Sequence, residues 1–281
     1  MIQFGPAGNT ASFEERGIEP AQIAPWLKKQ GLTVWEYQCG KGTDIGRETA
    51  QDIGRSAKLF GVSLSVHSHY YINLSSAEKR RMQRNEDYLN ENCRLAQWLG
   101  ADRITVHCGG LSGQTRKQAF LNTRANLKHL IPIAESYAVA LCVETMGRIN
   151  MLGDLEEVLA LCRHNESLIP CIDFGHLNAR GMGSLKSRED FCEILTKMKN
   201  ALGRERIKHF HAHFSKIQYD KSGEVRHLTF RDKQYGPSFE ECAYAFAEKG
   251  VQPRVICESA GMQVEDALQM KKIYESIAGA E

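Results

Sequence analysis

Short apolar runs separated by longer amphipathic stretches limit what this chain can fold into more than any of its other features. Eight such runs, at residues 2–5, 33–37, 62–67, 103–107, 139–144, 168–173, 207–211 and 254–258, have the length and composition of strands. Helical periodicity fills the intervals at 21–30, 43–60, 76–100, 115–137, 155–164, 188–202 and 238–249, and 264–277 closes the chain. Strand and helix in regular alternation demand a parallel sheet, and eight strands is the number that closes a (β/α)8, or TIM, barrel. The 281 residues suit one such barrel, since the fold runs to about 250 residues. No Pro-, Gly- or Ser-rich linker interrupts the pattern, so residues 1–281 are expected to form a single domain.

Local punctuation agrees with these boundaries. Ser75 followed by Glu78 has the form of a capping box for the third helix. Gly100 is a natural stop for the same helix, and Gly31, Gly61 and Gly250 mark other helix-to-strand joints. The longest stretch with no clear element lies between Phe214 and Pro237, and long loops in compact domains often carry function.

Composition narrows the setting rather than the chemistry. A formal net charge of +2 neither demands nor excludes nucleic acid, because a local basic rim can bind phosphate on a neutral protein. Nine cysteines occur without any C-x-x-C pair, and several, such as Cys142, Cys171 and Cys257, sit within apolar runs. That usage fits free thiols in a reducing compartment. The chain begins without a basic segment leading into an apolar one, and no apolar run approaches the roughly 18 residues of a membrane span. A cytoplasmic protein with no membrane association is expected.

The ends of the strands carry the chemistry. The third ends at His67, the fourth at His107, the fifth at Glu144, the sixth at Asp173, the seventh at His211 and the eighth at Glu258. Parallel barrel strands bring their C-terminal ends to one face, so six residues of metal-ligand type would converge there. Imidazoles with carboxylates suit zinc, with manganese or iron as alternatives at one site, and Glu144 has two oxygens with which to bridge two ions. His176 follows Asp173 by three residues, and His213 follows His211 by two, a spacing that puts both on one face of a continuing strand. Individually, each has a plainer explanation. A lone histidine is usually a surface or hydrogen-bonded residue, as is expected for His129, His164 and His209. Asp173 alone would serve as a loop cap, and Glu36 as a buried, satisfied acid. Six coincidences at corresponding strand ends are harder to accept than one metal cluster. Two or three ions about 4 Å apart favour phosphoester hydrolysis.

These residues resemble endonuclease IV, the zinc-dependent apurinic/apyrimidinic endonuclease family, over essentially the whole chain. The segments that carry the resemblance are HSHYYINL at 67–74, VHCGG at 106–110, VET at 143–145, CIDFGH at 171–176, HAHFSK at 211–216 and CES at 257–259. The resemblance implies two or three zinc ions and hydrolysis of the backbone of damaged double-stranded DNA 5′ to abasic sites, in base excision repair, by a monomer. It assigns His67, His107 and Glu144 to a first ion, and Glu144, Asp173, His211 and Glu258 to a second. His176 would belong to a third. Glu144 and Glu258 would be the catalytic carboxylates. Tyr70 and Tyr71 match positions from which the family inserts side chains into the duplex, and Gln38 lies on the loop after strand two that serves similarly. The bland reading of the two tyrosines is loop packing.

Two departures stand out. The family's third ion also takes an aspartate and a histidine two residues apart, whereas here His227 is preceded at that distance by Val225. Either Glu224 substitutes for the acid, or Arg226 replaces one ligand with a fixed positive charge able to contact phosphate. The family's N-terminal glycine-rich histidine motif is replaced by FGPAG at 4–8. Basic residues near the expected rim (Lys41, Arg47, Arg116, Lys117, Arg148, Arg180 and Lys216) offer contacts to a DNA backbone, while Lys79, Arg80, Arg81 and Arg84 read as a solvated helix flank.

Two other readings compete. A sugar isomerase or epimerase on a related barrel would use one metal and a proton-transfer pair drawn from Glu144, Asp173, His176, His211 and Glu258, but leaves His67 and His107 without a role. A metal-bearing protein that binds damaged nucleic acid without cutting it would be consistent with the altered segment at 224–227.

Overall fold

The computed structural model describes residues 1–40, 42 and 45–279. Eight parallel strands form one sheet: β1 (Gln3–Pro6), β2 (Val34–Gln38), β3 (Ser63–His67), β4 (Arg103–His107), β5 (Ala140–Glu144), β6 (Ile169–Asp173), β7 (His211–Phe214) and β10 (Arg254–Cys257). Between the last two lies an antiparallel hairpin of β8 (Ile217–Asp220) and β9 (Gly223–His227). The sheet runs in order from β2 through β7 to β10 and β1. It nearly closes on itself where Ala7 bridges Glu36 and the Gly8 amide donates to the Glu36 carbonyl at 2.8 Å.

Helices pack around the outside because their apolar stripes face the apolar outer sides of the strands. Val66, Ile104, Val143, Ile172 and Val255 are among the strand residues excluded from solvent. Leu95, Ala96 and Leu99 cover them from Lys79–Leu99, as Leu127, Leu130 and Ile131 do from Arg116–Ser136. Gly31, Gly61, Gly100 and Gly250 end their helices in the left-handed conformation, which costs a glycine little. No helix among the described residues is long and apolar enough to cross a membrane.

Three local expectations need correction. The third helix begins at Lys79 after Glu78, which makes no side-chain cap; Ser75 instead donates to Asn73 Oδ1 and the Gly110 carbonyl, tying two loops together. The second is an unexpected short helix, Phe174–Arg180, directly after β6. The third is strand seven, which starts at His211 rather than ending there, because the charged, helix-favouring segment Arg204–Lys208 forms a helical turn. Residues 41, 43 and 44, which include Lys41 and the expected start of one helix, lie outside the described residues.

Candidate metal centre

Parallel register sets the height of each strand-end side chain. His107 pairs with Glu144, Asp173 with His213, and His213 with Ile256, so these residues share the C-terminal rim. Glu144 is the hub and is 1% exposed. Its Oε2 lies 3.1 Å from His107 Nε2 and 3.4 Å from His67 Nε2, while its Oε1 lies 3.0 Å from His213 Nδ1 and 3.4 Å from His176 Nδ1. A carboxylate that divides its oxygens between two sets of imidazoles has the form of a bridging ligand.

Three of the groups in which donor atoms lie within 4.8 Å of one another are at the rim: His67, His107 and Glu144; Glu144, Asp173, His213 and Glu258, which shares Glu144 with the first; and His176, Glu224 and His227. Asp173 divides its work. Its Oδ1 accepts the His176 amide at 2.7 Å and caps the following helix, whereas buried Oδ2 makes no hydrogen bond and lies 3.2 Å from His176 Nδ1. That nitrogen is already engaged by the Thr145 carbonyl, so Oδ2 keeps the capacity to hold a cation. Three histidines are oriented from behind. His67 Nδ1 contacts the Ser68 carbonyl at 3.1 Å, His176 Nδ1 the Thr145 carbonyl at 2.9 Å and His227 Nδ1 the Ser215 hydroxyl at 2.8 Å, which turns each Nε2 toward its group. The donor set fits divalent zinc, manganese or iron, with mixed nitrogen and oxygen ligands.

The charges at the site follow from this crowding. Burial opposes a proton on His67, but Glu144 beside it, with Glu36 and Glu258 beyond, lifts its pKa from 6.5 to about 9. Asp173 is pushed up to about 6, chiefly by burial and against the pull of His176. Burial works against the charged form of Glu144 too, yet His213, His107 and His176 hold its carboxyl well below the usual range. Protons on histidines therefore balance the carboxylates in the metal-free protein, and a cation would displace them.

His211 is not in these groups as expected. It pairs in register with Cys171 and Arg254, two residues below the rim, and its Nε2 meets Glu36 Oε2 at 3.0 Å. Burial drives its pKa down to about 4 despite that carboxylate. His213 occupies the rim position instead. The two-residue spacing in HAHF contained this signal, and the misplaced strand end hid it. His211 does lie near Cys171 and His213, but all three are fully buried inside the barrel.

The departure at the third group has a structural cause. In the hairpin, Arg226 pairs with Gln218 and Glu224 with Tyr219, so Val225 is an extra, unpaired residue. Such a bulge resets the alternation of faces, and it turns Glu224 and His227, three apart, to the same side. Glu224 Oε2 reaches 3.4 Å from His176 Nε2, and Val225 is exposed. Arg226 is exposed and donates to Gln218 Oε1 at 2.8 Å, away from the ligand group.

The remaining candidates line or overhang the mouth. Gln38 is the last residue of β2 rather than a loop residue, and donates to Glu258 Oε1 at 3.1 Å. Tyr70, 58% exposed, has its ring centroid 6.0 Å from those of both His67 and His107, while Tyr71 lies against Tyr88. Three basic residues expected to track DNA are engaged within the protein. Arg116 pairs with Glu157, Arg180 donates to the carbonyls of Met146, Arg148 and Met151, and Lys216 donates to the Asp232 carbonyl.

Known proteins resemble this chain in two directions. An uncharacterised protein of Methanocaldococcus jannaschii is 28% identical over 96% of both chains. A probable endonuclease 4 of Staphylococcus carnosus is 26% identical over 63% of this chain and 62% of its own, so the likeness spans about three fifths of that relative. Among solved structures, a D-tagatose 3-epimerase-like protein superposes with a TM-score of 0.74 at 20% identity, covering 99% of each chain. Residues 24–278 match the xylose isomerase-like TIM barrel family, and the chain belongs to it.

Proposed function

We propose that this protein is a metal-dependent phosphodiesterase that hydrolyses the DNA backbone 5′ to abasic sites. The observation that carries the reading is the division of Glu144, with His67 and His107 on one oxygen and His213 on the other. One ion would be held by His67, His107 and Glu144, a second by Glu144, Asp173, His213 and Glu258, and a third by His176, Glu224 and His227. Bound ions would supply Lewis acidity toward the phosphodiester and an acidified water. The protein supplies the rest. Glu144 joins the groups but is sealed from solvent, whereas the Glu258 side chain is 10% exposed and is the carboxylate able to take a proton from water. Gln38 fixes the orientation of Glu258. The exposed ring of Tyr70, poised over His67 and His107, can stack on an unpaired base or wedge into the gap at a lesion. The endonuclease 4 likeness, over about three fifths of that relative, is in keeping with this reading.

A second reading has its own support. With Arg116, Arg180 and Lys216 engaged internally, the rim offers fewer free cations to a phosphate backbone, which favours a small neutral substrate such as a ketose. One carboxylate of the Glu144, Asp173 and Glu258 group would then move a proton beside a carbonyl. The two readings separate in one experiment: metal analysis of purified protein, followed by assays with an abasic duplex and with a panel of ketoses and aldoses. Two or more ions and strand scission are expected. Sugar epimerisation without scission would reverse the choice.

A further inference from the structure

Beneath the rim, a further carboxylate faces the cluster from inside the barrel. Glu36 on β2 is fully buried. Its Oε2 accepts from Ser65 Oγ at 2.9 Å, from Thr105 Oγ1 at 3.3 Å and from His211 Nε2 at 3.0 Å. Three strands, β3, β4 and β7, thus anchor one oxygen of the carboxylate. The other, Oε1, lies 3.0 Å from His213 Nε2. The two atoms face each other without the alignment of a hydrogen bond, and neither has another hydrogen-bond partner. On the far side of the same ring, His213 Nδ1 lies 3.0 Å from Glu144 Oε1 and 3.6 Å from Glu258 Oε2.

We propose that Glu36, anchored by Ser65, Thr105 and His211, is a positioning residue that keeps the His213 proton on Nε2 and the Nδ1 lone pair turned toward the cation group of Glu144, Asp173 and Glu258. The inference rests on the metal-centre reading above and adds a residue that none of its three donor groups includes. An imidazole binds a cation through a nitrogen with a free lone pair, and the hydrogen bond at the other nitrogen decides which one that is. For His67, His176 and His227 the hydrogen-bond partner is a backbone carbonyl or a hydroxyl. For His213 the group facing Nε2 is a full carboxylate, which makes the ring a stronger donor to a cation. His211 forms the floor of this arrangement, as a donor that helps hold Glu36 in place.

The test titrates zinc and cobalt(II) into metal-free wild type and the Glu36→Gln and Glu36→Asp variants. Affinity is read by competition with a chelator, and ligand geometry by the visible spectrum of bound cobalt. The amide of Glu36→Gln keeps the volume but loses the charge. One ion should bind about 10–100-fold more weakly, the cobalt spectrum should change, and Glu36→Asp should recover part of both. If Glu36→Gln matches wild type in affinity and spectrum, the role of Glu36 is wrong while the metal centre stands. If wild type binds no ion, both fall. Should the variants fail to fold, nitrogen-15 NMR of histidine-labelled, zinc-loaded wild type decides. His213 is expected to carry its proton on Nε2 with Nδ1 shifted by the metal, and a proton on Nδ1 overturns the proposal.

Discussion

The two halves of the candidate centre are built differently. Its barrel half, from His67 to Glu258, stands on parallel strand ends whose heights are fixed by sheet register, and Glu144 and His213 are shut off from solvent. Its hairpin half hangs Glu224 and His227 from β9, where the side chains are 14% and 27% exposed and a bulge sets their direction. Ligands on buried strands are pre-oriented by the whole fold. Ligands on a hairpin depend on a single irregularity. The barrel half should therefore bind its ions more tightly and tolerate loss of the hairpin half, but not the reverse.

The most damaging change should be Glu144→Gln, which removes the carboxylate common to both barrel groups. Two ions should be lost, and turnover should fall by about 10³-fold or more, read by metal analysis and by the duplex assay. Full stoichiometry in this variant would dissolve the comparison. Next comes Glu224→Gln, which removes the carboxylate of the hairpin group, with loss of one ion and retention of the other two. Deletion of Val225 removes the bulge yet leaves Glu224 and His227 two residues apart on a regular strand, hence on one face, so all three ions should be retained. Loss of the third ion in the deletion variant would mean that the hairpin needs the bulge to aim these two side chains at His176.

Tyr70→Ala should weaken binding of an abasic duplex about tenfold, the scale of losing one aromatic–base stack, with metal content unchanged. Equal affinity would reduce Tyr70 to loop packing. The pH dependence gives a smaller and separate signal. His67, raised in the folded protein to about 9, adds stability to the metal-free form that is complete below its unfolded value of 6.5 and lost as pH rises through 9. The Tm of metal-free protein should drop by roughly 5 °C across that window, while saturating zinc, which takes the place of the proton, should remove the drop. Arg226→Ala should have the least effect, leaving metal content intact and reducing the salt dependence of duplex binding by about one phosphate contact.

The same contrast explains what could be read from sequence. The strand-end residues His67, His107, Glu144 and Asp173 were visible because each closes an apolar run, and in a barrel the end of a run is a position in space. His213 was displaced to His211 because Arg204–Lys208 contributes an apolar Ile207 that extends the run backward on paper, although its charged neighbours coil into a helical turn. Glu36 was legible as a buried acid, but not its partners, since Ser65, Thr105 and His211 come from three other strands. Glu224 was visible as a substitute for a missing aspartate, but a bulge is a property of pairing between two strands and leaves no mark in β9 alone. The basic rim was the poorest guide. Arg116 and Arg180 are spent on loop carbonyls and on Glu157, and only tertiary structure reveals such partners.

The positions of bound cations are the most direct test of a centre divided at Glu144. Anomalous diffraction at the zinc edge from crystals of zinc-loaded protein should give two strong peaks flanking Glu144, one against His67 and His107 and one against Asp173, His213 and Glu258. A weaker third peak is expected near Glu224. A single peak away from His67 and His107, or none at Glu144, would contradict it.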